Sequence, residues 1–141
     1  MAKSSRAPVS GTSTRTLDLT VETWDLAVCG LPPDAAAPDW AMGGPFYAIT
    51  RTPRELSIVC PAARVPAATR AQKGWRCFSL AGPIPFEESG VLSSVALPLA
   101  VAGIGIFAIS TFDTDYVLVP GPRLADAVRA LESAGHRIRK S

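Results

Sequence analysis

The feature that most constrains this chain is that it repeats itself. Sliding the 141-residue sequence by 60 positions lays FYAITRTPRELSIVCP (46–61) on IFAISTFDTDYVLVP (106–120). Tyr47 then falls on Phe107, Ala48 on Ala108, Ile49 on Ile109 and Thr50 on Ser110. Further along, Glu55 meets Asp115, Leu56 meets Tyr116, Ile58 meets Leu118 and Val59 meets Val119. Two β-rich runs and the polar connection between them are therefore present twice, and self-similarity of this kind fixes architecture before local propensity does.

The flanks repeat less closely. WDLAVCGLP (24–32) resembles WRCFSLAGP (75–83) at an offset of 51. The second-half sequence that follows, FEESGVLSSVALPLAVAG, predicts a full helix ending at Gly103. The first half holds PDAAAPDWAMGG there, with room for a turn or two. A second helical candidate follows each hairpin. GPRLADAVRALESAG sets Leu124, Ala127, Val128 and Leu131 on one face, opened by Pro122 and closed by Gly135. Its counterpart AARVPAATRAQKG is shorter and carries Pro66, and HRIR (136–139) stands where WRCF stands 61 residues earlier. Each half thus spells strand, helix, strand, strand, helix, strand, the split βαβ or ferredoxin-like order. The expected fold is α+β: two tandem ferredoxin-like units with an antiparallel sheet and helices on one face. Residues 1–16 are expected to form a disordered arm, 17–74 a trimmed first unit and 75–141 a complete second unit. Trp75–Leu80 ends one unit and begins the next, so the fourth strands are either shared or exchanged.

Composition narrows the function. Apolar residues make up 48% of the chain, enough for a real core in a domain that buries roughly 68–70% of its unfolded surface. A net charge of +2, with several of the basic residues at the two ends (Lys3, Arg6 and Arg15; Arg137, Arg139 and Lys140), is too little to argue for nucleic acid. Cys29, Cys60 and Cys77 cannot all pair and show no CxxC or Cys/His spacing beside the single histidine, His136. Buried thiols in a reducing cytosol are expected, with no metal site. The N-terminus, MAKSSRAPVSGTSTRT, lacks the apolar region of a secretory signal. Ser89 to Phe112 carries no charge and is long enough for a bilayer span of about 20 residues. Its helical spacing at Val91, Leu92, Val95, Ala96 and Leu99 nevertheless gives way, past Pro98, Gly103 and Gly105, to the β-rich run Ile104–Ile109. That change of period reads as a buried helix followed by a buried strand in a cytoplasmic protein without a membrane partner.

Catalysis finds little support in the residues. A nucleophile needs a base beside it, and His136 lies beyond the closing glycine of the last helix, far in sequence from Ser110 and Cys60, as a surface or strand-edge residue. Asp113 and Asp115 could serve a small hydrolase, but residues two apart in a turn often diverge, and hard cations want more oxygens. Gly103–Gly105 lacks a third glycine and precedes a strand, and no GK[ST] occurs. No catalytic residue, metal or cofactor is assigned. Binding is better served. GPIPFEESGVL (82–92) leaves a strand and enters a helix, with Ser89 as N-cap. The free N–H groups of Gly90, Val91 and Leu92 would mark an anion-attracting helix start. Ser110, Thr111 and Asp115, at the end of the second strand of that half, would approach the same place. An anion cradle beside a carboxylate suits a zwitterion. The structural alternative is that Ser89 only caps, Asp113 only turns the chain and Asp115 is only solvated.

The stretch FEESGVLSSVALPLAVAGIGIFAISTFDTDYVLV, with FYAITRTPRELSIVCP and Gly74-Trp75 upstream, resembles the ACT-domain family. Within it the chain looks most like the small tandem-ACT proteins similar to the cytosolic arginine sensors of animal cells, over roughly Leu17 to His136. The resemblance implies the βαββαβ fold, amino-acid binding without catalysis, and ligands held where two units pair edge to edge. It implies ligand contacts at Glu88, Ser89, Gly90 and Val91 in the strand-to-helix loop, and at Ile109, Ser110, Thr111, Phe112 and Asp115. The chain has two units rather than the four of the animal sensors, so an interface between units is internal or formed by a homodimer. Glu87 and Glu88 favour a cationic amino acid such as arginine or lysine. The competing expectation is an interaction module that pairs through its sheet edges and binds nothing small.

Overall fold

The structure is a computed structural model that describes residues 15–141; most of the expected N-terminal arm, residues 1–14, lies outside the described residues. In chain order the elements are β1 (Asp18–Val21), β2 (Leu26–Leu31), β3 (Ala48–Arg51), β4 (Leu56–Pro61) and β5 (Ala71–Leu80). There follow α1 (Val91–Val101), β6 (Phe107–Ser110), β7 (Asp115–Pro120), α2 (Leu124–Ser133) and β8 (Arg137–Lys140). The two first-half helical candidates are reduced to single 3-10 turns, Asp39–Ala41 and Ala62–Arg64, and the AQKG that closes the second of them is already strand.

All eight strands join one sheet built around β5. The first half of β5 pairs antiparallel with β2, from Ala71 to Trp75, and its last residues pair with β1. Strand β7 runs antiparallel along Trp75–Ser79. Because Phe78 and Ser79 pair with both β1 and β7, those two strands must lie on opposite edges. Beyond β2 come β4 and β3, and beyond β7 comes β6. One ten-residue strand thus takes partners from both the first and the second half of the sequence.

The expectation of an antiparallel sheet needs correction, because β1 and β8 pair in parallel. The cause is β1 itself, which sits between the second half of β5 and β8. A strand outside β1 that runs opposite to β5 has to be parallel to β1. Strand β1 escapes notice in a polar N-terminus, but Leu17, Leu19 and Val21 alternate with polar residues at the period of a half-buried strand. Asp18 and Arg137 face each other in this pair, with Arg137 Nε donating to Asp18 Oδ1 at 2.5 Å. That guanidinium holds the Asp18 carboxyl below its ordinary range.

The two hairpins correspond at a register of 59 residues rather than 60. Ala48 faces Val59 as Phe107 faces Leu118, a spacing of 59 at both positions. Pro61 and Pro120, at the same spacing, each end a strand and lead into a 3-10 turn. A one-residue slip turns every strand residue to the other face of the sheet. Buried Val59 therefore corresponds to buried Leu118, and Leu56 to Asp115.

Both helices pack on one face. Leu19, Val21, Phe78, Leu80, Val117 and Val119 of the sheet meet Val91, Val95 and Leu99 of α1 and Ala127 and Leu131 of α2. The opposite face buries Leu26, Val59, Cys77 and Leu118 beneath Trp24, Phe46, Trp75, Phe107 and Tyr116. Phe46 bridges the two halves there, 5.3 Å from Trp24 and 5.0 Å from Tyr116 between ring centroids. All three cysteines are free and buried. Burial pushes the Cys29 thiol up to about 11 and the Cys77 thiol up to about 12, so both stay protonated at neutral pH.

Helix α1 carries Pro98, which has no N–H to give to the Ser94 carbonyl one turn back. His136 supplies the missing bond: its Nε2 lies 2.8 Å from Ser94 O, while its Nδ1 accepts from Leu17 N at 3.1 Å. These bonds require the tautomer protonated on Nε2. The histidine is 5% exposed, a buried connector rather than the expected surface residue. It is placed by the end of α2, where Gly135 N donates to Glu132 O and His136 N to Leu131 O in a Schellman closure.

Two outcomes are expected. His136→Leu leaves the Ser94 carbonyl and the Leu17 amide without their partner, at a cost of about 1–3 kcal/mol for each group, readable as a lower urea midpoint. The three thiols should react with a disulfide reagent only as fast as the protein unfolds.

Candidate functional site

Two connections meet at one end of the second half: the loop from β5 into α1, and the turn from β6 into β7. The turn is closed by Thr111 N donating to Thr114 O at 2.8 Å, with the Thr111 hydroxyl on the same carbonyl at 3.1 Å. It is tied to the loop twice, through Ile84 N to Asp113 O at 2.7 Å and Thr114 Oγ1 to Leu80 O at 2.8 Å. Between loop, turn and helix start lies a cleft of about 310 Å³.

Six of the residues expected at a ligand site line this cleft together: Glu88, Gly90, Val91, Ser110, Thr111 and Asp115. Ser110 and Asp115 are register partners, and the Ser110 hydroxyl donates to Asp115 Oδ1 at 2.5 Å. One oxygen of a half-buried carboxylate is thereby used, and the other faces no protein donor among the described residues. The remaining three stand apart. Ile109 packs on the opposite face of the sheet with Tyr116. Phe112 is 81% exposed and meets Phe86, itself 72% exposed, edge-on at 5.2 Å. Ser89 turns its carbonyl to Arg15 Nη2 at 3.1 Å.

Ser89 is also not the N-cap. That position belongs to Gly90, at φ 80°, and Ser94 N is the first amide to find a helical acceptor, Gly90 O at 3.0 Å. The N–H groups of Val91, Leu92 and Ser93 precede it at the positive end of an eleven-residue helix. No acidic side chain lies in that first turn to neutralise it. The cleft therefore has a donor wall at α1 and an acceptor wall at Asp115.

Asp113 lines a different cleft, with Glu22, Trp24 and Tyr116, so the two turn carboxylates do not converge on one space. Leu92, expected there through its free N–H, also lines the cleft, whereas Ile84, Pro85 and Ser93 had no sequence signal of their own and are ordinary loop and helix residues until the loop folds over the turn. Arg15 was missed outright. Its Nη1 donates to Glu88 Oε1 at 2.6 Å across 73 residues of chain.

The first-half hairpin shows how the same frame is closed. At the 59-residue register Arg51 replaces Ser110, and Leu56, 1% exposed, replaces Asp115. The Arg51 guanidinium donates to Pro33 O and, at 2.6 Å, to Ala35 O in the loop after β2. A side chain there fills the junction that the second half leaves open. Among the described residues no three His, Cys, Asp or Glu side chains are grouped to hold a metal ion, and no helix is long and apolar enough to cross a membrane.

Gly90→Ala places a β-carbon in a left-handed conformation with nothing nearer than Ser93 Oγ at 3.8 Å. The cost is expected to be purely conformational, about 1–2 kcal/mol in equilibrium unfolding.

Comparison with known proteins bears on the fold and the family. The family model of the ACT domain matches residues 70–133, and a model of an N-terminal domain matches residues 25–68. The cytosolic arginine sensor for mTORC1 subunit 1 of Bos taurus is 31% identical over 106 residues, covering 65% of this chain and 32% of its own. The chain thus spans about a third of the length of that relative. Protein Atu0741 of Agobacterium tumefaciens superimposes with a TM-score of 0.86 at 41% identity, over 90% of this chain and 95% of its own. The aspartokinase α and β subunits share the fold at a TM-score of 0.59 and 16% identity, over 85% of this chain and 98% of theirs. Residues 70–133 of the chain belong to the ACT-domain family.

Proposed function

We propose that this protein is a regulatory module that binds a free amino acid in the cleft between α1 and the β6–β7 turn and performs no catalysis. The observation that carries this reading is the pairing of opposite polarities in one space of about 310 Å³: an unneutralised helix start on one wall and the half-buried Asp115 on the other. An α-carboxylate suits the first and an α-ammonium the second. The names of the animal relatives, cytosolic arginine sensors, support an amino-acid ligand and a cytoplasmic setting. We read the chain as two tandem ACT-like units, 17–74 and 75–141, sharing β5, with the ligand site in the second and a homodimer as the working assembly. In the first unit, Arg51 and Leu56 leave no equivalent pair of walls.

A thermal-shift panel of the twenty amino acids tests the reading. At about 100 times its dissociation constant a ligand adds roughly 2.7 kcal/mol, which for this size raises Tm by on the order of 8–10 °C. Asp115→Ala should abolish the shift while leaving the unliganded Tm within about 3 °C, since a partly exposed hydrogen bond is lost and no core is opened. A flat panel with the unaltered protein would sink amino-acid binding.

A further inference from the structure

Glu88 is the carboxylate that would recommend a cationic ligand, and it is already engaged. Arg15 Nη1 donates to Glu88 Oε1 at 2.6 Å, and Arg15 Nη2 donates to the neighbouring Ser89 O at 3.1 Å. The guanidinium therefore grips two adjacent positions of the loop that walls the cleft. The arm that presents it is itself fixed two residues later: Leu17 N donates to His136 Nδ1 at 3.1 Å, and Leu17 O accepts from Arg137 N at 2.9 Å.

We propose that Arg15 is a specificity-determining residue, an intramolecular guanidinium that competes for Glu88 and so selects against amino acids with cationic side chains. The proposal rests on the amino-acid reading of the cleft and names the ligand class: a zwitterion with a neutral side chain. The α-ammonium of any amino acid can use Asp115, on the strand side of the cleft. A second positive charge at the far end of the ligand needs another carboxylate, and Glu88 is the one that lines the cleft from the loop. With both side chains of the pair about a third to two-fifths exposed, the ion pair is weak by itself. Its force as a competitor comes from connectivity. A group tethered beside its partner acts at an effective concentration of about millimolar, which the cationic end of a ligand has to overcome to reach Glu88. A neutral side chain enters without displacing it.

Isothermal titration with L-arginine and L-citrulline separates the cases, because citrulline has nearly the same shape with an uncharged end. For Arg15→Gln, the affinity for arginine is expected to rise about three- to tenfold, while that for citrulline changes by less than about twofold. The double variant Arg15→Gln/Glu88→Gln should lose the gain. An unmoved arginine-to-citrulline ratio in Arg15→Gln overturns the role given to Arg15, as does an equal loss for both probes, which would make Arg15 a brace of the loop. Absence of binding of both probes, with a flat amino-acid panel in all variants, overturns the amino-acid reading and the proposal with it.

Discussion

Everything in this molecule hangs on the double use of β5. A strand has two edges, and here each edge changes partner or runs out partway along: β2 and then β1 on one side, β7 along the later residues on the other. That arrangement lets two short hairpins, neither able to bury its apolar faces alone, join a single sheet. It also dictates where the ends of β5 must go. The exit of β5 at Leu80 is held by the Thr114 hydroxyl, so the loop into α1 begins against the β6–β7 turn, and the cleft is a direct result of that contact.

Much of this was legible in the residues. The hairpins, α1, α2 and the final strand fall where periodicity and turn chemistry put them, because long apolar patterns have few competing solutions. The repeat register was missed by one residue, since Val-Leu-Val and Ile-Val-Cys runs match almost as well when slid by a single step. Only pairing across the sheet distinguishes the faces. Strand β1 was hidden by its polar neighbours, and its insertion beside β5 is what makes the sheet partly parallel. Ser89 looked like an N-cap by residue type, but Gly90 adopts a conformation that ends the loop one residue later, freeing the Ser89 carbonyl for Arg15.

The two halves of the chain also show what separates scaffold from site. Both turns carry a threonine that closes the hairpin in the same way, Thr52 onto Glu55 and Thr111 onto Thr114. The differences lie in the flanking pair. Arginine and leucine make the first junction self-sufficient, whereas serine and aspartate leave the second with a carboxylate in need of company. A polar knot between two strands was therefore two things at once, a hairpin closure common to both halves and an acceptor wall found in one.

The bond between His136 and Ser94 has a consequence for strands β1 and β8. One imidazole joins the middle of α1, the first residues before β1 and the start of β8. A displacement of α1 along its axis would be felt at Leu17, just before β1, and at Arg137, where β8 begins. A fluorophore placed on β1 or β8 is thus attached to the same lever as the helix start that walls the cleft, and can report on that wall or disturb it.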